Sequence, residues 1–397
     1  MLEWIRQNIK GDRVIWVVVI LLSLIGVLAV YSSTESFAYS RHGGNSEYYL
    51  VKHLGILVMG LFLMWLVHLV DFRYFARPAQ FLVYPAILLL IYTLVFGDDL
   101  NQARRWVTIP VIGLRFQSSD FAKVALVMYL AHFLSKKQET IHDFKKTLLP
   151  VLVVVTLVCL LIGVADLSTS VVLFATCFLL LFIGRIPFKY LAGLFGIGSF
   201  LMVILITVIL NTDYNGGRVE TWRNRIENYV SFVKEDGKSE ESYQNEQANI
   251  AIANGGVFGV GAGKSHQRNF LPLAFADFIY AIILEEYGLV GGVIVILLYL
   301  ALLWRTVRIV IRTPKAFGAL LAIGLSFTLV IQAFMNMGVA VHLLPNTGLP
   351  LPFISMGGTS LLFTSLAIGI ILSVSRFSGP EESNLEFGTK QEGGDDE

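Results

Sequence analysis

Asp277, Glu285 and Glu286 stand at the start of and inside one apolar run, Asp120 and Lys123 open another, and Arg104, Arg105 and Arg115 crowd a short loop between two more. Ionisable groups in or beside such segments are costly unless paired, which makes each of them a functional candidate. A carboxylate at a helix start supports either of two roles. As an N-cap, Asp277 accepts bonds from the free amides of the first turn, is stabilised in its ionised form and is a weak base. In a drier setting its pKa rises toward the working pH, and it can take a proton from a reacting hydroxyl. Asp120 and Lys123, three residues apart, share one helical face and can neutralise each other there.

Two other patterns fail as chemistry. GGVFGVGAGKS, residues 255–265, has the look of a phosphate-binding loop, but the spacing needs glycine where Phe258 stands and no buried strand precedes it. A glycine-rich outer loop that bends tightly is the expectation. No HExxH and no Cys/His cluster occurs, and Cys159 and Cys177 lie in separate apolar runs, so neither a zinc site nor a disulfide framework is expected.

The elements that must hold these residues are membrane helices. Hydrophobic residues make up 55% of the 397-residue chain and charged residues 15%, against about 45–50% and 25% in soluble domains. The fold class is therefore an all-α polytopic integral membrane protein. With about 20 apolar residues per crossing, spans fall near 14–33, 49–70, 79–97, 118–135, 147–165, 168–185, 188–210, 277–304, 317–340 and 359–377. That makes about ten transmembrane helices, with a large extracytoplasmic loop, 211–276, between the seventh and eighth.

Arg73, Arg77, Lys136, Lys137, Lys145, Lys146, Arg185, Lys189, Arg305, Arg308, Arg312 and Lys315 fall in alternate loops, which puts both termini in the cytoplasm. Arg104, Arg105 and Arg115 then lie outside, either tolerated there or facing an anionic partner. In the large loop, Trp222, Ile226, Tyr229 and Val233 recur at helical spacing, as in a helix lying on the membrane surface or packed within the loop. Between the last two spans, NMGVAVHLLPNTGLPLPFISMGGTS (336–360) holds three prolines and a glycine pair. Irregular backbone at membrane depth is tolerated where protein or a wet cavity satisfies it, so this linker is expected to line a site.

Three stretches, NQARRW with the following QSSDFAK, QRNFLPLAFADFIYAIILEEYGLVGG and LLPNTGLPLPFISMGGTS, resemble the motifs of the SEDS family (shape, elongation, division and sporulation), which contains FtsW, RodA and SpoVE. The resemblance covers essentially all of residues 1–377 as one transmembrane domain, and leaves 378–397 as a disordered, acidic cytoplasmic tail. The double arginine of NQARRW is closer to the division members than to the elongation members.

The resemblance implies a peptidoglycan glycosyltransferase that polymerises lipid II, the undecaprenyl-pyrophosphate-linked disaccharide peptide, on the outer face of the bacterial inner membrane at the division septum. It implies a class B penicillin-binding protein, other divisome proteins and membrane lipids as partners, and no nucleic acid. Matched residue by residue, the family's essential aspartate is Asp277, its outer-loop tryptophan is Trp106, and its polar pair is Asp120 with Lys123. Here the usual glutamate of that pair is shortened to Asp120, and the usual proline two residues before is Ser118.

Chemistry agrees with that reaction. Joining a sugar hydroxyl to an anomeric carbon needs a base for the hydroxyl proton, while a departing pyrophosphate needs positive charge and no proton donor. Asp277 is the expected base, some of Arg104, Arg105, Lys123 and Arg218 the pyrophosphate holders, and Trp106 a wall of the sugar or lipid pocket. Asn336, Pro345, Thr347 and Ser355 either surround a substrate cavity or satisfy one another within the loop. No cofactor is assigned, and a divalent cation beside the pyrophosphate is compatible with the scheme. The rival readings are a lipid II flippase without bond chemistry and a non-catalytic division scaffold.

Overall fold

Long apolar runs leave the backbone no water to bond, so each closes its own hydrogen bonds as a helix. A computed structural model describes residues 10–34, 46–100, 103–108, 115–141, 143–211, 222–223, 240–271 and 275–377. In chain order the helices are α1 (Arg13–Ser33), α2 (Ser46–Leu69), α3 (Ala76–Phe96), α4 (Ser118–Lys136), α5 (Leu149–Ala165), α6 (Leu167–Ile183), α7 (Phe188–Asn211), α8 (Glu240–Gly255), α9 (Ile279–Arg312), α10 (Ala316–Ala340) and α11 (Ser360–Phe377). Each expected span coincides with a helix, the eighth running on to Arg312. Among the described residues, seven helices are long and apolar enough to cross a membrane by length and composition.

A small sheet departs from the all-helical expectation. Between α3 and α4, β1 (Asp98–Leu100), β2 (Ala103–Thr108) and β3 (Arg115–Gln117) pair antiparallel in the order β1-β2-β3, with Asp99 opposite Arg104 and Trp106 opposite Gln117. Of the surface helix expected around Trp222, only 222–223 are described; Ile226, Tyr229 and Val233 lie outside the described residues, as do Arg218 and the 378–397 tail.

α10 is buried along most of its length and forms the centre, packing on α4, α6, α9 and α11. α2 and α3 turn Val51, Phe62, Phe81, Leu88 and Phe96 outward, as suits a lipid-facing surface. Where helices cross closely, small residues permit it. Gly60 of α2 lies on Leu361 and Ser365 of α11, and Gly369 lies on Met64 and Val67.

Polar contacts sort the bundle into two ends. At one, Arg305 near the end of α9 donates to the Asp12 carboxylate that caps α1, with Nε to Oδ2 at 3.0 Å. Gly11 sits against Leu372 and Arg376, and Arg376 donates to the His68 carbonyl at the end of α2. The beginning of α1 and the end of α11 therefore share one face. At the opposite end lie the sheet, the end of α1, the start of α9 and the 341–359 segment.

Candidate functional site

Asp277 sits just before α9, and α9 begins at Ile279 with Phe278 in the N-cap position. The helix thus starts two residues later than the apolar run suggests, and the capping position belongs to a phenylalanine. Asp277 is partly exposed. The backbone here is gripped on three consecutive carbonyls by the end of α10 and the loop that follows it. Asn336 Nδ2 donates to the Asp277 carbonyl at 3.1 Å, Ser355 Oγ donates to that of Ala276 at 2.7 Å, and the Met356 amide donates to that of Phe275 at 3.0 Å. Gly348, at φ +64°, lies beside the carboxylate itself; a Cβ there would stand 4.0 Å from Asp277 Oδ2. Glycine leaves that approach open and accepts the left-handed conformation without strain.

The proline-rich loop is satisfied from outside itself, as irregular backbone in a membrane bundle must be. Asn336 also donates to the Leu349 carbonyl at 2.8 Å, Gln332 donates to that of Pro350 at 2.8 Å, and Tyr299 of α9 donates to that of Pro352. Ser355 Oγ accepts from the Leu351 amide at 2.9 Å. Asn336, Thr347 and Ser355 are buried; the Asn336 Nδ2 and the Ser355 hydroxyl are spent on backbone, while Asn336 Oδ1 is buried without a hydrogen-bond partner among the described residues. These two side chains fasten the loop to the residues that precede α9. Pro345 is exposed near the loop's start.

A second polar line reaches the same loop from α4. Lys123 Nζ lies 2.8 Å from Asp120 Oδ1 and donates to Gln332 Oε1 at 3.1 Å, and Gln332 in turn holds Pro350. Both ends of the pair are buried, beside a cavity of about 20 Å³ lined by Asp120, Lys123, Gln332, Ser360 and Thr364. That is room for about one water molecule. Gln332 was not picked out from the sequence; its place one helical turn before Asn336, on the same face of α10, was the available signal.

The sheet divides the arginines. Side chains alternate along a strand, so Arg104 and Trp106 share one face of β2 while Arg105 points to the other. Arg105 Nη1 binds Asp166 Oδ2 at 2.9 Å, and Asp166 also caps α6 through the Thr169 amide at 3.1 Å. Arg104 is exposed, with Nη1 donating to the Val95 carbonyl at 2.8 Å, and Trp106 is half-buried. Thr359 Oγ1 donates to the Arg115 carbonyl at 2.9 Å, which fastens the sheet to the proline-rich loop. The structure therefore gathers Asp277, just before α9, and Asn336, on α10, against the loop that carries Thr347 and Ser355, and ties Asp120, Lys123, Arg104 and Trp106 to that loop through Gln332 and the sheet. Arg105 is withdrawn into an ion pair. Among the described residues, no group of three or more His, Cys, Asp or Glu is arranged to hold a metal ion.

Residues 12–379 match the cell cycle protein model FtsW/RodA/SpoVE. Stage V sporulation protein E of Bacillus subtilis is 32% identical over 94% of this chain and 99% of its own length. The probable peptidoglycan glycosyltransferase FtsW of Coxiella burnetii is 34% identical over 93% of this chain and 98% of its own. Rod shape determining protein RodA of Thermus thermophilus, solved by crystallography, superposes with a TM-score of 0.65 at 25% identity, over 92% of this chain and 97% of that one. A chain from a peptidoglycan synthase complex shares the fold at TM-score 0.72 and 23% identity, over 93% of this chain and 99% of that one. With that match over nearly its whole length, the chain belongs to the FtsW/RodA/SpoVE family of cell cycle proteins.

Proposed function

We propose that this chain is a peptidoglycan glycosyltransferase that polymerises lipid II at the outer face of the inner membrane, with Asp277 as general base. The observation that carries the reading is the grip on carbonyls 275–277, which fixes the backbone of a partly exposed carboxylate that stands outside the capping position of its helix. A preorganised base needs that arrangement: rigid support behind it and an open side in front.

In the reaction, Asp277 takes the proton of an acceptor sugar hydroxyl as its oxygen bonds the donor's anomeric carbon. The bond from that carbon to pyrophosphate breaks, and undecaprenyl pyrophosphate leaves with the bonding pair. Arg104, exposed on β2, is the cation assigned to the pyrophosphate, with Trp106 on the same strand face and Arg218 in the outer loop as a further holder. Lys123 acts from inside the bundle through Gln332, and Arg105 holds the sheet on α6 through Asp166. The relatives named as peptidoglycan glycosyltransferases support the activity; in this reading the partner is a class B penicillin-binding protein and the place the septum.

Purified protein given labelled lipid II and the partner transpeptidase is expected to make moenomycin-insensitive glycan strands. The flippase reading draws on the polar line Asp120–Lys123–Gln332 inside the bundle. Transbilayer movement of lipid II without polymer in the same vesicles would favour it.

A further inference from the structure

α9 is two helices. Gly288 has φ +66° and ψ −168°, which ends a half-helix at Tyr287 and begins another at Leu289. In an unbroken helix the Glu285 and Glu286 carbonyls would accept from the Leu289 and Val290 amides. Here the glycine-rich segment after α8 is let in between them. Val260 and Gly261 donate to the Glu285 and Glu286 carbonyls, both at 3.0 Å, while the Leu289 and Val290 amides donate to the Gly256 and Val257 carbonyls at 2.9 and 3.2 Å. Four bonds to the segment stand where two helical bonds would have been. The approach excludes side chains: a Cβ on Gly255 would lie 1.9 Å from the Leu284 carbonyl oxygen, and one on Gly259 2.1 Å from that of Glu286.

The next residues are clamped to the same half-helix by its two buried carboxylates. Glu285 accepts from the Ser265 hydroxyl and from the His266 and Gln267 amides, at 3.1 Å and 3.3–3.4 Å for the two amides. Glu286 accepts from the Ser32 hydroxyl at the end of α1. Arg268 Nη1 closes the circuit on the Ser32 carbonyl and hydroxyl at 3.2 and 3.3 Å. The outer half-helix, residues 279–287, thus takes its position at this end from the 255–268 segment and from α1, and Asp277 stands at its other end.

We infer that this stitch sets where Asp277 stands, with Glu285, Glu286, Ser32 and Arg268 as positioning residues for the proposed reaction. The inference rests on the reading of Asp277 as the base. It also explains the GGVFGVGAGKS segment, whose glycines let its backbone reach and bond a broken membrane helix.

The test uses the full-length protein in detergent with hydrogen–deuterium exchange, and the same preparations with lipid II and the partner for turnover. Gly259→Ala is expected to speed amide exchange in 275–287 while the rest of the bundle stays protected. It is also expected to lower kcat per folded molecule on the order of 10²-fold, the loss that a misplacement of about 1 Å can bring, with KM close to that of the unmodified protein. Ser32→Ala, which removes one hydroxyl from the clamp, carries the same test with a smaller defect should Gly259→Ala fail to accumulate. Unchanged exchange in 275–287, faster exchange with undiminished kcat, or a loss of protection spread evenly over the bundle would each overturn the inference. Asp277→Asn separates the two readings: it leaves exchange unchanged if the carboxylate only does chemistry. If it keeps full turnover, the base assignment fails while the exchange of the other variants still decides the stitch.

Discussion

A lysine inside a membrane bundle needs its counter-charge beside it, and Lys123 has the Asp120 carboxylate at 2.8 Å. Removing one partner of such a buried pair leaves the other uncompensated, at about 3–5 kcal/mol. Lys123→Met is therefore expected to lower the thermal unfolding midpoint in detergent strongly, and Asp120→Asn with Lys123→Met to regain most of the loss. An unchanged midpoint for the single variant contradicts the pairing. The double variant also reads function. Recovered polymerisation assigns Lys123 to pairing alone, whereas recovered stability without polymer assigns it to the substrate. At this scale the Asp120–Lys123 pair was legible because it depends on local spacing, whereas position alone suited Asp277 to an N-cap and its choice as a base came from the family resemblance. The sequence hid Asp166 as the partner of Arg105, since the two lie 61 positions apart and only the alternation of an unforeseen strand turns Arg105 toward α6.

The loop between α10 and α11 is the element on which the site is built, and its irregular course is held by its neighbours. Gly26 of α1 lets it approach: a Cβ there would meet the Phe353 carbonyl oxygen at 2.5 Å. At the loop's start, burial holds the His342 imidazole below its ordinary pKa of about 6.5. The docked loop thus favours neutral His342, while the released loop takes up a proton at higher pH. Docking is accordingly fully stable above about 6.5 and weakens as the pH falls from there toward the lowered value. The unfolding midpoint is expected to drop on acidification across that window, and His342→Gln to flatten the drop; parallel curves for the two proteins would contradict the assignment. Three prolines and a glycine pair marked this loop as irregular from sequence. They did not reveal that Asn336 and Ser355 bond to backbone, because that depends on which neighbour each side chain meets. The broken α9 was equally hidden: Glu285 and Glu286 stood out as misplaced charges, but only the fold brings Gly255 and Gly259 against them.

The whole molecule has two polar ends. Asp12, Arg305 and Arg376 gather at one, and Asp277, the sheet and the proline-rich loop at the other. The long helices and the shared face of α1's start and α11's end could be read from apolar runs and basic loops, since both follow from the cost of burying backbone and charge in lipid. The small sheet could not, because its strands are short and carry little apolar alternation. Single cysteines replacing Leu343, Lys10 or Lys315, in a chain with buried Cys159 and Cys177 changed to serine, test the orientation. A membrane-impermeant maleimide added to intact cells is expected to label the first and spare the other two; the reverse pattern would invert the assigned sides. Whether Asp277 is the base is decided by polymerisation of labelled lipid II in vesicles holding the partner transpeptidase, with Asp277 against Asp277→Asn at equal amounts of assembled complex. Strands are expected from the unmodified protein, and a loss of roughly 10²–10⁴-fold in rate from the amide variant, the usual worth of a general base. Strand synthesis at an undiminished rate by Asp277→Asn would contradict that role.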